Sequence, residues 1–380
     1  MTARGTIRRG VPMADPVSPL GMAPGLSVVG YGMWTSLGPD GPSTVAGIRG
    51  KLIGSEVGQL WDSTIGENLG AFRVAAHQWW TGSTFLPDLL APAIEECLAQ
   101  VGALTEKLRR PAADIPILVA VAPPGRPARP EGLEAAVLDG LAAKLGRAMP
   151  PGSGAVGGGR CGLPHLLAQA AAQAGRYPLQ IIAGVESLVD QRIVDHYIAR
   201  GRLLCGTNTS GFTVGEASAA VLVAPTGMIG GPELAITGMG TGMEPSGDGG
   251  SREVAVTGVG LTTAMRAALA AAGRPFYDIP ALMGDLNGEH FKFKEQMLAQ
   301  MRVDRVAPEG RSRRPRGYTE HLNVIENVGE VGAALMPLQL GWAFEAGRAG
   351  MLAQNRVLCF AGEDDGRRVA LVAEYREGLG

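Results

Sequence analysis

The chain has 380 residues, of which 46% are hydrophobic and 18% charged, a balance typical of a globular protein with one large domain or two fused halves. Its net charge of −2 excludes a general electrostatic attraction to nucleic acid or to a membrane surface. The four cysteines are far apart and form no CxxC pair, which argues against a zinc site or a disulfide framework and fits a reducing cytoplasm.

The first part of the chain predicts a tail followed by alternating strands and helices. Residues 1–25 combine Gly, Pro, Met and Arg without periodicity, which predicts a mobile tail. No apolar core follows its arginines, so we expect no secretory signal, and no later run approaches the ~20 apolar residues of a membrane span. From residue 26 the predicted strands cover 26–38, 115–121, 179–185 and 211–223, and the predicted helices cover 45–51, 86–101, 132–145, 163–174 and 190–200.

A second series of elements follows a link over 225–231. Its predicted strands cover 234–237, 279–286, 356–361 and 368–374, and its predicted helices cover 254–272, 289–301 and 332–350. Two further stretches predict a glycine turn over 238–242 and an Arg-rich loop over 302–318. The Arg-rich loop has no aromatic platform beside it, so we expect no nucleic-acid binding. Alternating strands and helices in two series of similar order predict an α/β fold with mostly buried sheets.

The stretch 211–223 carries the most specific signal. It reads G-F-T-V-G-E-A-S-A-A-V-L-V, and its run of small residues predicts a central strand that another backbone approaches closely. It resembles the D-G-F-x-x-G-E-G-A-A-x-x-V-L segment of β-ketoacyl synthases, the condensing enzymes of the thiolase superfamily, and 26–38 resembles their opening segment. The resemblance implies a thiolase-like duplicated βαβαβαββ fold in five layers, αβαβα, with one half over 26–225 and the other over 226–380.

The same resemblance implies where a catalytic cysteine belongs. In the family a thiolate at a helix N-terminus holds the acyl chain, roughly 24 residues before an A-G-G strand end, and the helix dipole lowers its pKa. Here that strand ends at Gly184, and an ungapped count back reaches Gly159. Cys161 takes the role only if the intervening helix is two residues shorter. His165 would share a helical face with Cys161.

Two family histidines stabilise the enolate and the oxyanion, and carboxylates stand at both positions. Asp285 or Gly284 falls on the first histidine, with His290 about one turn later, and Glu326 falls on the second in the G-H-x-x-G-A-A-G-A motif. A carboxylate near neutral pH repels an enolate, so we do not expect Cys-His-His condensation. Two of Asp285, Glu289 and Glu326 could instead form an acid/base pair for another reaction, or these carboxylates could bond to backbone amides of the glycine turns.

One branch of the superfamily resembles this chain in more detail. The segments 285–295 and 329–334 are similar to those of ketosynthase-like proteins from bacterial type VI secretion gene clusters. This implies a non-catalytic cytoplasmic adaptor or scaffold without a cofactor, which binds a secretion effector or another adaptor. The alternative is an active β-ketoacyl synthase or acyltransferase that uses Cys161 with His165 or His290. The family also implies a homodimer, paired through a strand around Val156 within 149–159.

Overall fold

The computed structural model describes residues 21–74, 83–108, 114–249, 254–305 and 317–378. The strands are β1 (Leu26–Trp34), β2 (Ser55–Asp62), β3 (Glu67–Phe72), β4 (Ile117–Ala120), β5 (Gly154–Val156), β6 (Gln180–Ser187), β7 (Glu216–Pro225), β8 (Glu233–Met243), β9 (Ala281–Met283), β10 (Glu320–His321), β11 (Arg356–Gly362) and β12 (Arg367–Arg376). The helices are α1 (Gly41–Arg49), α2 (Leu86–Leu108), α3 (Leu133–Lys144), α4 (Leu163–Gln173), α5 (Gln191–Ala199), α6 (Val259–Ala271), α7 (His290–Asp304), α8 (Ile325–Val328) and α9 (Leu335–Arg348).

Ten of these strands form one sheet in the order β10-β9-β11-β12-β8-β1-β7-β6-β4-β5. The sheet has two parts of five strands each, which in chain order are β1, β4, β5, β6, β7 and β8, β9, β10, β11, β12. In each part the first strand pairs antiparallel with the fifth, and the fifth pairs antiparallel with the fourth. The fourth then pairs parallel with the second, and the second parallel with the third. A short contact between β1 and β8 joins the two parts. The predicted duplicated βαβαβαββ order is therefore confirmed.

Helices cover both faces of each part, which gives the five layers. The helices α4 and α9 lie between the two parts, in a core that also takes side chains from β1, β7, β8 and β12. The outer helices α2 and α3 pack on the far face of the first part, and α6 and α7 on that of the second. The sequence of strand β6 is continuously apolar because both faces of the strand are buried: Ile182 packs in the central core and Ile181 in the outer core of the first part.

The central strand β7 lies between β1 and β6, as its small residues predict. Ala217 and Ala219 face the central core, and the Ser218 hydroxyl donates to the backbone oxygen of Leu89 in α2 at 2.6 Å. The segment 238–242, predicted as a glycine turn, is instead part of strand β8. Its glycines face α6 so closely that a Cβ on Gly240 would stand 2.3 Å from the backbone oxygen of Ala264.

Candidate functional site

The turn between β5 and the central helix α4 is the first element of the site. Gly159 has a φ of +54°, a conformation that L side chains rarely adopt, and begins a 3₁₀ turn over Gly159–Cys161. A Cβ on Gly159 would lie 2.1 Å from Oε2 of Glu363, which follows β11 in the other half. The same Oε2 accepts the backbone N–H of Arg160 at 3.0 Å. A carboxylate from the second half therefore fills the space that a side chain at position 159 would need.

The turn before the central helix α9 repeats this arrangement with the halves exchanged. Gly332 has a φ of +53°, and a Cβ on it would lie 2.1 Å from Oε2 of Glu186 in β6. That oxygen accepts the backbone N–H of Ala333 at 2.8 Å. Since β6 and β11 are the fourth strands of their halves, each half sends a carboxylate to the helix turn of the other. We call Glu186 and Glu363 the crossed carboxylates.

Two buried guanidinium groups, those of Arg126 and Arg160, bind the crossed carboxylates, and a third lies nearby. Arg126 donates to Glu186 at 2.7 Å and to Glu363 at 3.0 Å. Arg160 donates to Glu363 at 3.1 Å and to Glu330 at 3.0 Å. Both guanidinium groups also contact the Asp364 carboxylate, at 3.2 Å from Arg126 and 3.0 Å from Arg160.

The third guanidinium joins another carboxylate to this group. Arg202 holds Glu289 through two hydrogen bonds of 2.7 and 3.0 Å and lies 3.2 Å from Asp364. The Asn287 amide bridges Glu289 and Glu330, at 3.1 and 3.0 Å. These eight residues form what we call the ionic cluster: Arg126, Arg160, Arg202, Glu186, Glu289, Glu330, Glu363 and Asp364.

The ionic cluster stays charged although it is buried. Burial alone would raise the pKa of Glu363, but the guanidinium groups of Arg126 and Arg160 lower it to about 2. Burial would likewise raise the pKa of Asp364, and Arg160, Arg202 and Arg126 hold it well below its usual range. Glu186 differs, because burial raises its pKa above the ordinary value despite Arg126. Opposite charges therefore keep most of this centre ionised, and Glu186 is the carboxylate closest to protonation among these three.

A second buried group of charges lies behind the first. Asp285 pairs with Lys292 and accepts the backbone N–H of Gly362 at 2.8 Å. Burial would raise the pKa of Asp285, and Lys292 and Arg160 lower it below the ordinary value. Arg368 donates to Glu295 at 2.7 Å. No group of His, Cys, Asp and Glu side chains in the described ranges is arranged to hold a metal ion.

A cleft of about 340 Å³ opens beside the ionic cluster. Asn287 lines it and also donates to Glu330, so the cleft reaches the edge of the cluster. Its walls are mostly apolar or small, and the lining includes Phe72, Leu204, Gly211, Leu286, Gly288, Phe293, Ile325, Glu326 and Gly329.

Comparisons with known proteins identify the architecture. No family model and no curated protein matches the chain. Solved structures do: the ishigamide ketosynthase/chain length factor matches with a TM-score of 0.67 at 15% identity, over 92% of this chain and 98% of that one. A ketosynthase in complex with its chain length factor from Xenorhabdus doucetiae matches with a TM-score of 0.67 at 13% identity, over 92% and 98% of the two chains.

A type II polyketide ketosynthase in complex with its acyl-carrier protein matches with a TM-score of 0.66 at 11% identity, over 92% and 98%. The chain has the ketosynthase fold. At these identities the likeness concerns the fold alone, so chemistry must be argued from the residues present.

Cys161 ends the 3₁₀ turn before α4, and its sulfur has no side-chain partner in the ionic cluster among the described contacts. Its sulfur lies 3.3 Å from the backbone oxygen of Arg367 and 3.8 Å from that of Ala361, both in the β11–β12 hairpin. Burial, with the nearby Glu363 carboxylate, raises the pKa of the Cys161 thiol to about 12. The thiol therefore stays protonated at neutral pH, and a protonated thiol is a poor nucleophile.

The other predicted site residues are only partly brought together. Asp285 is buried beside Lys292, whereas His165, His290 and Glu326 are exposed. His290 begins α7, where its backbone N–H donates to the Ser210 hydroxyl at 3.1 Å. None of the histidines in the described part of the chain belongs to the ionic cluster.

Sequence reasoning missed most of the ionic cluster. Glu330 had a detectable signal. If the first glycine of the G-H-x-x-G-A-A-G-A motif is placed on Gly329, Glu330 stands at the histidine. The prediction placed the second glycine of the motif on Gly329, which puts Glu326 there. Glu363 and Asp364 were predicted only as part of a hairpin turn. The arginines gave no signal, because their partners lie up to 238 residues away in the chain.

Proposed function

We propose that this protein is a non-catalytic member of the thiolase-fold proteins that acts by binding other proteins, as an adaptor or scaffold. One observation carries the proposal: the ungapped count that places the family's nucleophile falls on Gly159, and the Glu363 carboxylate fills the space that a side chain there would take. Neither a thiolate nor an acyl group fits there while Glu363 keeps its bond to Arg160.

The electrostatics of the centre support the same conclusion. Condensation develops negative charge on an enolate and a thioester oxygen, which donors must stabilise. Here the guanidinium groups already bind carboxylates, and five carboxylates face three guanidinium groups. A further anion would meet net negative charge in a buried site, which is unfavourable.

The cellular role we propose is cytoplasmic assistance to type VI secretion, in loading or maturing an effector. It is supported by the resemblance of 285–295 and 329–334 to ketosynthase-like proteins of those gene clusters. In the structure these segments supply Asn287, Glu289 and Glu330, which hold the ionic cluster together. The two segments that carry the resemblance therefore also supply part of this charged centre.

We further propose that the protein forms a homodimer through the edge strand β5. In the described sheet β5 pairs only with β4, and its residues are half-buried. An exposed edge strand is a liability unless another chain covers it. Two of the solved neighbours are described as a ketosynthase with a chain length factor, so two-chain assemblies accompany this fold.

Intact-mass measurement after incubation with acyl-CoA tests the lack of catalysis. Because the thiol of the half-buried Cys161 is protonated at neutral pH and lies against backbone oxygens of the β11–β12 hairpin, we expect no adduct over hours at pH 7.5. Rapid stoichiometric acylation of Cys161 would contradict the proposal, and a Cys161→Ser variant shows whether any adduct is on that thiol. Co-purification with an effector encoded in the same gene cluster tests the adaptor role, and we expect Cys161→Ser to co-purify as well as the wild type.

A further inference from the structure

The outer helix α7 carries a row of exposed apolar side chains. Phe293, Met297 and Met301 are 46%, 56% and 47% exposed. Their spacing of four residues places them on one face of α7, over about 12 Å of helix length. Ala299 and Val303 on the opposite face are buried in the outer core. Single exposed apolar residues are ordinary, but a continuous row is typical of a binding surface. We call these three residues the α7 row.

The α7 row leads directly into the cleft beside the ionic cluster. Phe293 is both the first member of the row and part of the cleft lining. Leu204, 47% exposed, lines the same cleft, and Leu286 and Ile325 add further apolar wall. The cleft volume of about 340 Å³ accommodates one large side chain. A ridge that ends in a pocket suits a ligand with a repeating apolar face and one protruding anchor.

Along α7 itself the exposed charge beside the α7 row is positive, and the exposed carboxylate of Glu326 lies at the cleft end of the row. Lys294 and Arg305 are exposed, and their positions on the helix place them next to Met297 and Met301. Among the acidic residues of α7, Glu295 is buried and paired with Arg368, and Asp304 is half-buried. A ligand with carboxylates along one flank would therefore find complementary charge here.

We infer that the α7 row and the cleft together bind an amphipathic helix of a protein partner, with an acidic flank and one large apolar side chain inserted into the cleft. This inference deepens the proposed adaptor function and rests on it. A helix fits better than a strand, because the face of α7 offers side chains and no free backbone groups. A second copy of this chain fits poorly, since Lys294 and Arg305 would face the same cations across the two-fold axis.

A synthetic peptide provides the probe. It has about 18 residues, enough for several helical turns, with Leu at successive turns, one Phe anchor and Glu along one flank. Fluorescence anisotropy with the full-length protein should show saturable 1:1 binding. We expect the double variant Met297→Glu, Met301→Glu to weaken binding at least tenfold, and Lys294→Glu to weaken it by a smaller factor. Thermal melting checks that the variants remain folded.

Two controls define what would overturn the inference. Met228→Glu changes a methionine that is 42% exposed outside α7 and the cleft, so it should leave binding unchanged. A peptide with Lys in place of Glu should bind at least tenfold more weakly. Absence of peptide binding, or equal binding by the α7 double variant, overturns the inference. The inference is also overturned if the protein self-associates and the α7 double variant abolishes that self-association. It is overturned as well if the protein binds phosphatidylglycerol vesicles more tightly than the peptide and this binding depends on the α7 row.

The inference and the proposed function fail separately. Acylation of Cys161 in a protein that still binds the peptide would contradict the non-catalytic role and leave the helix site in place. An unmodified Cys161 in a protein that does not bind the peptide would remove only the helix site.

Discussion

At the scale of single residues, Gly159 decides what this centre can do. Its φ of +54° favours glycine, and its missing Cβ leaves room for the Glu363 carboxylate. A protein that kept its nucleophile here would have to move Glu363 and leave Arg126 and Arg160 without one of their carboxylate partners. Each guanidinium would keep its other carboxylate partners, but removing one partner from a buried ionic group is destabilising, so Gly159 and the ionic cluster depend on each other.

Replacing Gly159 by Ala tests this dependence. The left-handed conformation alone costs an L residue about 1–2 kcal/mol, and the matched control Gly146→Ala has that cost only, since Gly146 has a φ of +62° with nothing near its Cβ position. We expect Gly159→Ala to lower the free energy of unfolding by at least about twice as much, because the methyl group displaces Glu363 and would lie 2.9 Å from Cδ of Pro123. Urea denaturation measures both. Equal losses of unfolding free energy in the two variants would show that the Glu363 side chain moves aside at little energetic cost.

At the scale of elements, the sequence predicts strands and helices well where one periodicity dominates. Strands β6 and β7 and helices α2, α4 and α9 were predicted because continuous apolar runs or regular apolar faces mark them. The hairpin β2–β3 was missed, since β2 is mostly exposed and an irregularity interrupts its register between Val57 and Trp61. Glycines in β8 were interpreted as a turn because a sequence does not show that a helix packs against them.

The candidate site was less predictable than the fold, for a physical reason. Turn residues and strand ends can be found locally, and Asp285 was identified through the resemblance to a family motif at a strand end. The crossed carboxylates cannot, because each depends on where the other half places a backbone N–H. Glu363 and the N–H of Arg160 are 203 residues apart in the chain. Only the assembled fold brings them together.

Substitutions of the two crossed carboxylates form a matched pair that tests how the stability of the protein depends on pH. The pKa of Glu363 is lowered to about 2 in the folded protein, so its stabilisation is complete above the unfolded pKa of about 4.3 and is lost as pH falls through 2. The pKa of Glu186 is raised, so its ionised form costs stability at neutral pH. We expect Glu363→Gln to lose on the order of 3 kcal/mol at pH 7, and Glu186→Gln clearly less.

Chemical denaturation of both Gln variants at pH 7 and near pH 3 measures this difference. The difference in lost stability between the two variants should narrow near pH 3, because that pH lies below the unfolded pKa of about 4.3 and part of the stabilisation by ionised Glu363 is then lost in the wild type. Two outcomes would contradict the opposite pKa shifts of Glu363 and Glu186: equal losses of unfolding free energy in the two variants at pH 7, or a difference between the variants that grows as the pH falls.

At the scale of the whole molecule, the ionic cluster joins the two halves. Arg160 and Arg202 come from the first half and bind Glu330, Glu363 and Glu289 of the second. Buried ion pairs add little net stability compared with well-packed apolar side chains, yet removing one partner is costly. Their effect here is therefore to fix one arrangement of the halves. Because the ionic cluster is buried, the binding surfaces that we propose, α7 and the edge of β5, lie outside it.

The edge strand β5 gives the last prediction. We expect the wild type to sediment as a dimer at micromolar concentration, because an obligate interface usually buries over ~2,000 Å². Val156→Arg places a charge on this edge and should yield a folded monomer. The control is Glu320→Arg on β10, the third strand and open edge of the second half, which should remain dimeric. Sedimentation velocity measures all three proteins. A monomeric wild type would refute the β5 dimer, and dissociation by Glu320→Arg alone would place the interface on the opposite edge of the sheet.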